Sequence, residues 1–358
     1  MDGKLERIEK WEEGGRAGPY TLEINPTNRC NLACRFCWQR ITEPNLSKEL
    51  SEEKLLKTID EANELDVKEI RIPGSGEPLL RRNTVIKMMK RIKEHDIHGL
   101  IITNGTFLDE DFIQKMVDWQ WDNLTVSLDG PDAKTHDFLR QRKGTFEKVK
   151  RSLELLKETK ERNNSKRPRL RFHTVLTNKN HDKLLEMVEF ADKYNCEDIK
   201  LQPMTPFSNL GEQCMFEGDR EKLNERLTEA GESAEEYGIN TNFKSFIGND
   251  VVERTNEMQE VVKEASQEQD GFASAPCFEP WYNMVILPDG KTAQCSMFGG
   301  KGGVQVKNSS LEEIWYGDYF EKTRERLLNH ELFDYCENCC VAVNMENRRI
   351  RERLRGET

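Results

Sequence analysis

Short apolar runs alternate with charged amphipathic stretches from Tyr20 to about Pro203. The runs predict strands, and the stretches, where Leu, Ile, Met and Val recur at helical spacing, predict helices. This alternation predicts an α/β fold with a parallel sheet, closed or partly closed, and a ligand site at the carboxyl ends of its strands. The predicted strands are Tyr20–Asn25, Val67–Ile72, His98–Thr103, Asn123–Asp129, Leu170–Leu176 and Asp198–Gln202, and the predicted helices are Glu52–Leu65, Arg82–His95, Asp109–Asp118, Phe146–Arg162 and Asp182–Tyr194.

Beyond the sixth predicted strand the pattern changes. Gly248–Gly271 is polar and fits either a surface helix or a mobile excursion. Two short apolar runs around the turn at 288–290 predict a β-hairpin. In chain order, the predicted features are a polar loop at Thr205–Asp219, a helix at Arg220–Tyr237, hairpin strands at Tyr282–Leu287 and Lys291–Ser296, and helices at Ser310–Asn329 and Asn344–Arg355.

Composition narrows the functional classes. The 358 residues correspond to about two domains of roughly 150 residues. Asp and Glu number 65 against 54 Lys and Arg, and the net charge of −11 opposes binding to nucleic acid. No apolar run approaches the roughly 20 residues of a membrane helix, and Met1–Glu13 lacks the basic-then-apolar order of a signal peptide. We therefore expect a cytoplasmic protein with no membrane or nucleic-acid partner.

Ten cysteines need an explanation in a reducing compartment, where disulfides have little role. Cys30, Cys34 and Cys37 directly follow the first predicted strand. Three thiolates at this spacing can hold three irons of a 4Fe–4S cluster and leave the fourth iron open for a small ligand. A structural zinc site is the alternative, but it would need a fourth Cys or His, which the following stretch lacks.

This triplet resembles the cluster signature of radical S-adenosylmethionine (SAM) enzymes, in which an aromatic residue, here Phe36, precedes the last cysteine. The resemblance implies that Cys30, Cys34 and Cys37 hold a 4Fe–4S cluster whose open iron binds SAM. It also implies a flavodoxin- or ferredoxin-type reductant, and a 5′-deoxyadenosyl radical that removes a hydrogen atom from the substrate. The implied fold is a partial (β/α)6 TIM-like barrel.

Four later segments occur in the order typical of this family. Residues 74–78 resemble its Gly-Gly-Glu-Pro loop, with Ser75 in place of the first of the paired glycines, and Arg140 resembles the arginine that pairs with the methionine carboxylate. Residues 103–105 end the third strand, and Ser127 ends the fourth strand, where the family's serine contacts the ribose. Taken alone, each segment is also an ordinary strand-ending turn. Together they imply that SAM contacts Phe36, Ser75, Gly76, Glu77, Asn104, Ser127 and Arg140.

A second cysteine group lies near the C-terminus. Cysteines around a hairpin followed by a remote Cys-x-x-Cys suit a zinc ribbon. They also resemble the SPASM and twitch domains of radical SAM enzymes, which hold auxiliary clusters. The resemblance implies one auxiliary 4Fe–4S cluster, since the further cysteines of a two-cluster domain are absent after Cys340. Its implied ligands are Cys277, Cys295, Cys336 and Cys339, with Cys340 as the substitute for Cys339.

We therefore expect four segments: an N-terminal extension at 1–19, a radical SAM core at 20–205, a loop and helical connection at 206–275, and an α+β auxiliary-cluster domain at 276–358. The related twitch-type enzymes imply a small polar substrate, aminocyclitol- or sugar-like, that is dehydrogenated or epimerised. The short segment before the first strand favours this over a peptide or protein maturase of the SPASM type. A non-catalytic electron-transfer protein is the alternative from another class.

The sequence identifies residues that contact the substrate less specifically than those that hold SAM and the clusters. His173, Lys200 and Gln202 lie on the fifth and sixth predicted strands and fit either substrate contacts or satisfied polar groups of the barrel interior. Cys214 follows the sixth strand and belongs to neither cysteine group. It fits either a small packing residue or the thiol that returns a hydrogen atom in an epimerase. Cys196 is predicted to be a packed side chain.

Overall fold

The computed structural model describes residues 2–37, 48–204, 213–214, 219–248, 271–296, 302–339 and 341–356. In these residues the strands are β1 (Thr21–Ile24), β2 (Glu69–Ile72), β3 (His98–Thr103), β4 (Asn123–Ser127), β5 (Arg169–Leu176), β6 (Asp198–Pro203), β7 (Asn240–Thr241), β8 (Asn283–Ile286) and β9 (Thr292–Ala293). They form one sheet in the order β7-β6-β5-β4-β3-β2-β1-β8-β9, and only β8 and β9 pair in antiparallel fashion. This mostly parallel, open sheet confirms the predicted α/β partial barrel.

Helices cover the outer face of the sheet. Those between the first seven strands are α2 (Glu52–Glu64), α3 (Arg82–Glu94), α4 (Glu110–Asp118), α5 (Ala133–Arg140), α6 (Thr145–Arg162), α7 (Leu184–Lys193) and α8 (Arg220–Glu236). Side chains of β5 alternate between the two faces of the sheet. Leu170 and Phe172 are buried on the outer face, where the Phe172 ring centroid lies 6.1 Å from that of Phe190 on α7. Arg171 and His173 face inward and are partly exposed. The sheet therefore has an apolar outer face and a polar inner face, the lumen.

Strand β8 is the first of the predicted hairpin, and it joins the main sheet. It runs parallel to β1, with Thr21 opposite Asn283 and Ile24 opposite Ile286, while its other edge pairs with β9. The sequence predicts the hairpin but carries no signal for this partner, which lies about 260 residues earlier in the chain. The hairpin that follows Cys277 is thereby fixed against the strand that leads to Cys30.

A second, smaller core joins the two ends of the described chain. It contains residues of α1 (Asp2–Glu12), α9 (Glu279–Tyr282), α11 (Asp318–Leu328) and α12 (Val341–Leu354), whereas α10 (Leu311–Trp315) is buried in the main core. Ile8 of α1 and Ile350 of α12 are buried with Phe278, Trp281 and Tyr282. Arg351 of α12 donates a 2.9 Å hydrogen bond to the carbonyl of Ala275. Helix α12 is thereby docked beside Cys277.

The helices of the structure differ from the prediction in two ways. The single helix predicted at Ser310–Asn329 is wrong, because it breaks at Gly317, which is extended; a Cβ there would lie 2.4 Å from the carbonyl oxygen of Glu313. Helices α1 and α5 were not predicted. Most of the predicted loop Thr205–Asp219 and of Gly248–Gly271 lies outside the described residues.

Candidate functional site

The N-terminal cysteines lie in the loop after β1, at the carboxyl ends of the strands. Cys30 is exposed, Cys34 is buried and Cys37 is half-buried. The backbone N–H groups of Gly76 and Glu77 donate to the carbonyls of Thr27 and Arg29, at 3.0 and 2.8 Å. A Cβ on Gly76 would lie only 2.1 Å from the carbonyl oxygen of Arg29. Glycine is therefore required where the 74–78 loop supports the start of the cysteine loop.

The loop after β3 holds the middle of the cysteine loop. The Asn104 side-chain amide donates to Asn31 Oδ1 at 2.8 Å, and Asn31 Nδ2 donates to Thr106 Oγ1 at 2.9 Å. Thr106 Oγ1 in turn donates to Asn104 Oδ1 at 2.7 Å. Sequence reasoning selected Asn104 but missed Asn31 and Thr106. Asn104 thus positions the loop between Cys30 and Cys34.

Arg140, at the end of α5, is buried against the same loop. Its Nε lies 2.7 Å from Asp129 Oδ2, its Nη1 lies 3.6 Å from Cys34 Sγ, and its guanidinium carbon lies 5.5 Å from the Phe36 ring centroid. Burial acts to lower the pKa of Arg140, but Asp129 and the neighbouring thiols outweigh it and raise that pKa above its ordinary value. A fixed, charged guanidinium therefore stands beside the three cysteines, suited to a carboxylate ligand.

Glu77 is almost fully buried beside this cluster. Its Oε1 accepts from Thr103 Oγ1 at 2.7 Å and from the Leu79 N–H at 3.1 Å, and its Oε2 accepts from the Asn104 N–H at 2.8 Å. Burial raises the pKa of Glu77, against the effect of these hydrogen bonds. Since a carboxylate offers about four acceptor positions, one remains for an ammonium group. The predicted contact with the methionine amino group stays a prediction.

Ser75 and Ser127 complete the rim of the strand ends. The backbone N–H and Oγ of Ser75 both donate to Asn25 Oδ1, at 3.1 and 2.8 Å. Asn25 donates through Nδ2 to the carbonyl of Ile286 at 3.2 Å, so it links the 74–78 loop to β8. Ser127 ends β4 and lies opposite His173 in the sheet register.

The three N-terminal thiols lie close enough to influence one another. Burial, with smaller contributions from Cys34, Glu77 and Cys37, raises the pKa of Cys30 to about 11, against the effect of the hydrogen bond from the Leu32 N–H. A metal cluster must displace these protons, because thiolates are the ligand form. The donor set fits a 4Fe–4S cluster with SAM: three thiols, an adjacent guanidinium for a carboxylate and a buried carboxylate for an ammonium.

The C-terminal cysteines gather around one aromatic side chain. Burial raises the pKa of Tyr335, and Cys295, Cys336, Tyr319 and Cys277 raise it further. Burial also raises the pKa of Cys277, with Glu279 as the next cause. The backbone N–H of Cys339 donates to the carbonyl of Cys336 at 3.0 Å, while Cys340 lies outside the described residues. The structure thus brings Cys277, Cys295 and Cys336 together, with Cys339 in the adjoining turn.

A buried amide, missed from the sequence, contacts this group. Asn347 of α12 is 2% exposed. Its Oδ1 accepts from the Phe278 N–H at 2.8 Å, and its Nδ2 lies 3.6 Å from Cys277 Sγ as a hydrogen-bond donor. Asn347 stands in a basic, helix-patterned stretch, and nothing in that pattern marks it. Donors to sulfur are among the groups that set the reduction potential of an iron–sulfur cluster.

No group of three or more His, Cys, Asp or Glu side chains in the described parts of the chain could hold a single metal ion. Thiolates on one tetrahedral zinc stand about 3.8 Å apart, as zinc–sulfur bonds of about 2.3 Å require. In a 4Fe–4S cluster each thiolate binds a different iron, so the ligands are more widely spaced. A zinc ribbon and a 4Fe–4S cluster therefore differ in the spacing of the four sulfur atoms that bind them.

The lumen below the cysteine loop is lined with polar and charged side chains. His173, Lys200 and Gln202 face it, and His173 shares a hydrogen bond with Gln202. Glu23, missed from the sequence, accepts from Ser296 Oγ at 2.8 Å and lies 3.6 Å from Arg71 Nη1. Because Ser296 follows Cys295, Glu23 stands between the lumen and the C-terminal cysteines.

The remaining cysteines differ in surroundings. Cys196 is buried in the main core, as predicted, and burial raises its pKa to about 12. Cys214 is fully buried. Burial raises the pKa of the Cys214 thiol, and the next contributions come from Arg35 and Lys179, which lower it. Arg35 adjoins Cys34, so Cys214 lies on the cysteine-loop side of the barrel.

Comparison with known proteins agrees with these groupings. Residues 24–191 match the profile of the radical SAM superfamily, and residues 277–340 match that of an iron-sulfur cluster-binding domain, SPASM. The GTP 3′,8-cyclase of Campylobacter jejuni is 35% identical over 176 residues, 48% of this chain and 51% of that protein. The PqqA peptide cyclase of Granulibacter bethesdensis is 29% identical over 140 residues, 39% of this chain and 37% of that protein. The matches thus span about half or less of these relatives.

Solved structures extend the likeness of the fold over most of the chain. Streptococcus suis SuiB bound to its precursor peptide SuiA superposes with a TM-score of 0.65 at 18% identity, covering 89% of this chain and 70% of that one. In the described parts of the chain, no helix is both long and apolar enough to cross a membrane.

Proposed function

This chain belongs to the radical SAM superfamily and carries a C-terminal SPASM domain, and on that premise we propose that it removes a hydrogen atom from a small polar substrate, dehydrogenating or epimerising it. Its cofactors are SAM, the 4Fe–4S cluster that binds SAM, and the auxiliary iron–sulfur cluster of the SPASM domain. When bound, the first cluster supplies the electron that cleaves SAM, and the resulting radical takes the hydrogen atom.

We assign the residues that would hold these cofactors from the thiols, the guanidinium and the carboxylate described above. Cys30, Cys34 and Cys37 would hold the first cluster, with Arg140 binding the methionine carboxylate and Glu77 its ammonium. Phe36, Ser75, Gly76, Asn104 and Ser127 would form the remaining SAM contacts. Cys277, Cys295, Cys336 and Cys339 would hold the auxiliary cluster, with Cys340 as the substitute for Cys339.

The observation that carries the proposed substrate class is the charge of the lumen. Its inner wall presents His173, Lys200 and Gln202 on one side, and Glu23 and Arg71 beside the C-terminal cysteines. Such a wall would leave polar groups unpaired around an apolar substrate, whereas a small polar substrate can satisfy them. A substrate in the lumen would also lie between the two cysteine groups.

A peptide or protein substrate is the second candidate. Relatives named as a PqqA peptide cyclase and a SuiB bound to a precursor peptide favour it. A peptide would present a polar side chain to the same lumen while its backbone stays outside. The two candidates differ in whether a free small molecule is turned over.

We also propose Cys214 as the hydrogen-atom donor, if the reaction is an epimerisation. Its thiol is fully buried and burial raises its pKa, so the S–H bond is retained at neutral pH. In deuterated water, Cys214→Ala should lose net inversion and deuterium incorporation while still forming 5′-deoxyadenosine. Unaltered turnover in that variant would remove Cys214 from the chemistry and favour oxidation through the auxiliary cluster.

The decisive experiment is anaerobic incubation of the reconstituted protein with SAM and dithionite. Formation of 5′-deoxyadenosine would support the enzyme over a non-catalytic electron-transfer protein, and its absence in a fully reconstituted sample would contradict the proposal. The protein is then incubated with small-molecule and peptide fractions of a cell extract. Mass spectrometry should show a loss of about two mass units, or deuterium uptake, in the small-molecule fraction; a change confined to the peptide fraction would favour the second candidate.

A further inference from the structure

Lys200 occupies a distinctive place in the lumen. It lies on β6 opposite His173 of β5, which lies opposite Ser127 of β4. Neighbouring strands are about 4.8 Å apart, so the Cα atoms of Ser127 and Lys200 are roughly 10 Å apart. Because Ser127 ends the strand that would carry SAM's ribose, Lys200 is within reach of a substrate held beside the SAM site.

The ammonium group of Lys200 has no carboxylate within ion-pair distance among the described residues. Asp198, the nearby acid, is already shared by two arginines: Arg171 lies 3.5 Å and Arg169 lies 3.9 Å from its Oδ2. Lys200 is half-buried, so bulk water only partly compensates its charge. A half-buried ammonium in a lumen, with no described carboxylate as its ion-pair partner, is suited to binding an anion.

Further cations adjoin Lys200. Burial lowers its pKa; Asp198 acts in the opposite direction, and Arg171 and Arg349 of α12 lower the pKa further. His173 adds no charge at neutral pH, because burial, with Arg140 beside it, lowers its pKa to about 4. The protein as a whole carries a net charge of −11, so this local excess of positive charge is not a general property of its surface.

We propose that Lys200, with Arg171 and Arg349 beside it, binds an anionic group of the substrate, a carboxylate or a phosphate. The inference rests on the proposed function, because it takes the lumen as the substrate site. It narrows the small polar substrate to an acid or a phosphate ester. Lys200 would act as a point charge, and the arginine forks would bind the remaining anionic oxygens.

The test measures anion binding directly, without turnover. Inorganic phosphate and, separately, acetate are titrated by calorimetry into the cluster-loaded protein with SAM at low ionic strength. The wild-type protein should bind at least one of them, and Lys200→Gln should weaken that binding at least fivefold. Lys200→Arg, which keeps the charge, should stay within about twofold of wild type. Preference for phosphate indicates a phosphate ester, and preference for acetate indicates a carboxylic acid.

Lys148→Gln is the matched control, because it removes the same charge from an exposed position on α6. Equal losses in both Gln variants would reduce the effect to overall charge and overturn the proposal, as would unchanged binding in Lys200→Gln or no binding by wild type. Iron content and circular dichroism establish that each variant is folded. Wild-type protein that forms 5′-deoxyadenosine but binds neither anion would overturn only the anion site; binding without any 5′-deoxyadenosine would overturn only the proposed function.

Discussion

Cys30, Cys34 and Cys37 belong to a single loop, whereas Cys277, Cys295, Cys336 and Cys339 come from segments that only the folded chain brings together. The loop is oriented from outside, by the backbone of residues 74–78, the Asn104 side chain and Arg140. The C-terminal group is oriented by the β8–β9 hairpin and by α12. A group of cysteines can thus be local in sequence and still depend on three distant elements for its orientation.

The two groups also differ in the charges beside them. A guanidinium paired with Asp129 faces Cys34, while a neutral amide faces Cys277, which has the carboxylate of Glu279 nearby. Hydrogen bonds from charged donors are about twice as strong as neutral ones. The surroundings of the first group suit an anionic ligand such as the SAM carboxylate, and those of the second suit a closed cluster with no exchangeable ligand.

The sharpest way to separate the two groups is to remove one at a time. Native protein reconstituted without oxygen should hold about eight irons, and the Cys30, Cys34 and Cys37 triple alanine variant about four. The Cys277→Ala and Cys336→Ala double variant should also retain about four and should still bind SAM. Iron analysis and Mössbauer spectra report this. Full iron in the triple variant, or one zinc in the native protein, would show that the ligands are assigned wrongly.

Gly76→Ala tests whether the N-terminal loop depends on its external support. Since a Cβ would meet the carbonyl oxygen of Arg29 at 2.1 Å, the loop must shift, and we expect loss of the SAM-binding iron alone. Gly231→Ala is the control, because a Cβ there meets nothing within 4 Å. In the interior of α8 it should stabilise the fold by about 0.5–1 kcal/mol. If Gly76→Ala keeps about eight irons, the loop does not depend on this contact.

Arg140→Ala should weaken SAM binding at least tenfold with both clusters intact, since losing a buried charge contact costs about 2–5 kcal/mol. It also leaves Asp129 buried without its partner, so Arg140→Lys is measured alongside to separate lost charge from lost geometry. Arg151→Ala, at an exposed position on α6, is the control. Equilibrium binding of SAM reports the effect, and an unchanged dissociation constant for Arg140→Ala would place this side chain outside the SAM site.

Asn347→Leu should give the smallest effect. Loss of a hydrogen bond to Cys277 Sγ should make the auxiliary cluster harder to reduce, because such donors stabilise the more negative reduced state. The midpoint potential of one cluster, followed by electron paramagnetic resonance, should fall while that of the other stays constant. Asn344→Leu, on the same helix, tests for a general effect of substitution. A shift in both potentials, or in neither, would contradict the role of Asn347.

The parts of the fold that could be predicted are those encoded locally. Alternating strands and helices from β1 to β6 follow from periodicity, and the order of Cys30, Gly76, Asn104, Ser127 and Arg140 follows from motifs. The pairing of β8 with β1 and the contact of Asn347 with Cys277 depend on tertiary packing. A basic helix-patterned stretch looks the same whether or not one amide faces a thiol. The break at Gly317 was missed because apolar spacing continues across it.

Pairing between β1 and β8 has a consequence for how the protein is made. One edge of β1 can pair with β2 soon after synthesis, but the other waits for β8, about 260 residues later. Chains grow at roughly 5–20 residues per second, so this edge stays open on the ribosome for about 13–50 s. An apolar, unpaired strand edge is a template for pairing with other chains. For that interval the nascent chain carries an open strand edge beside the loop of Cys30, Cys34 and Cys37, the residues that we propose as ligands of an oxygen-sensitive cluster.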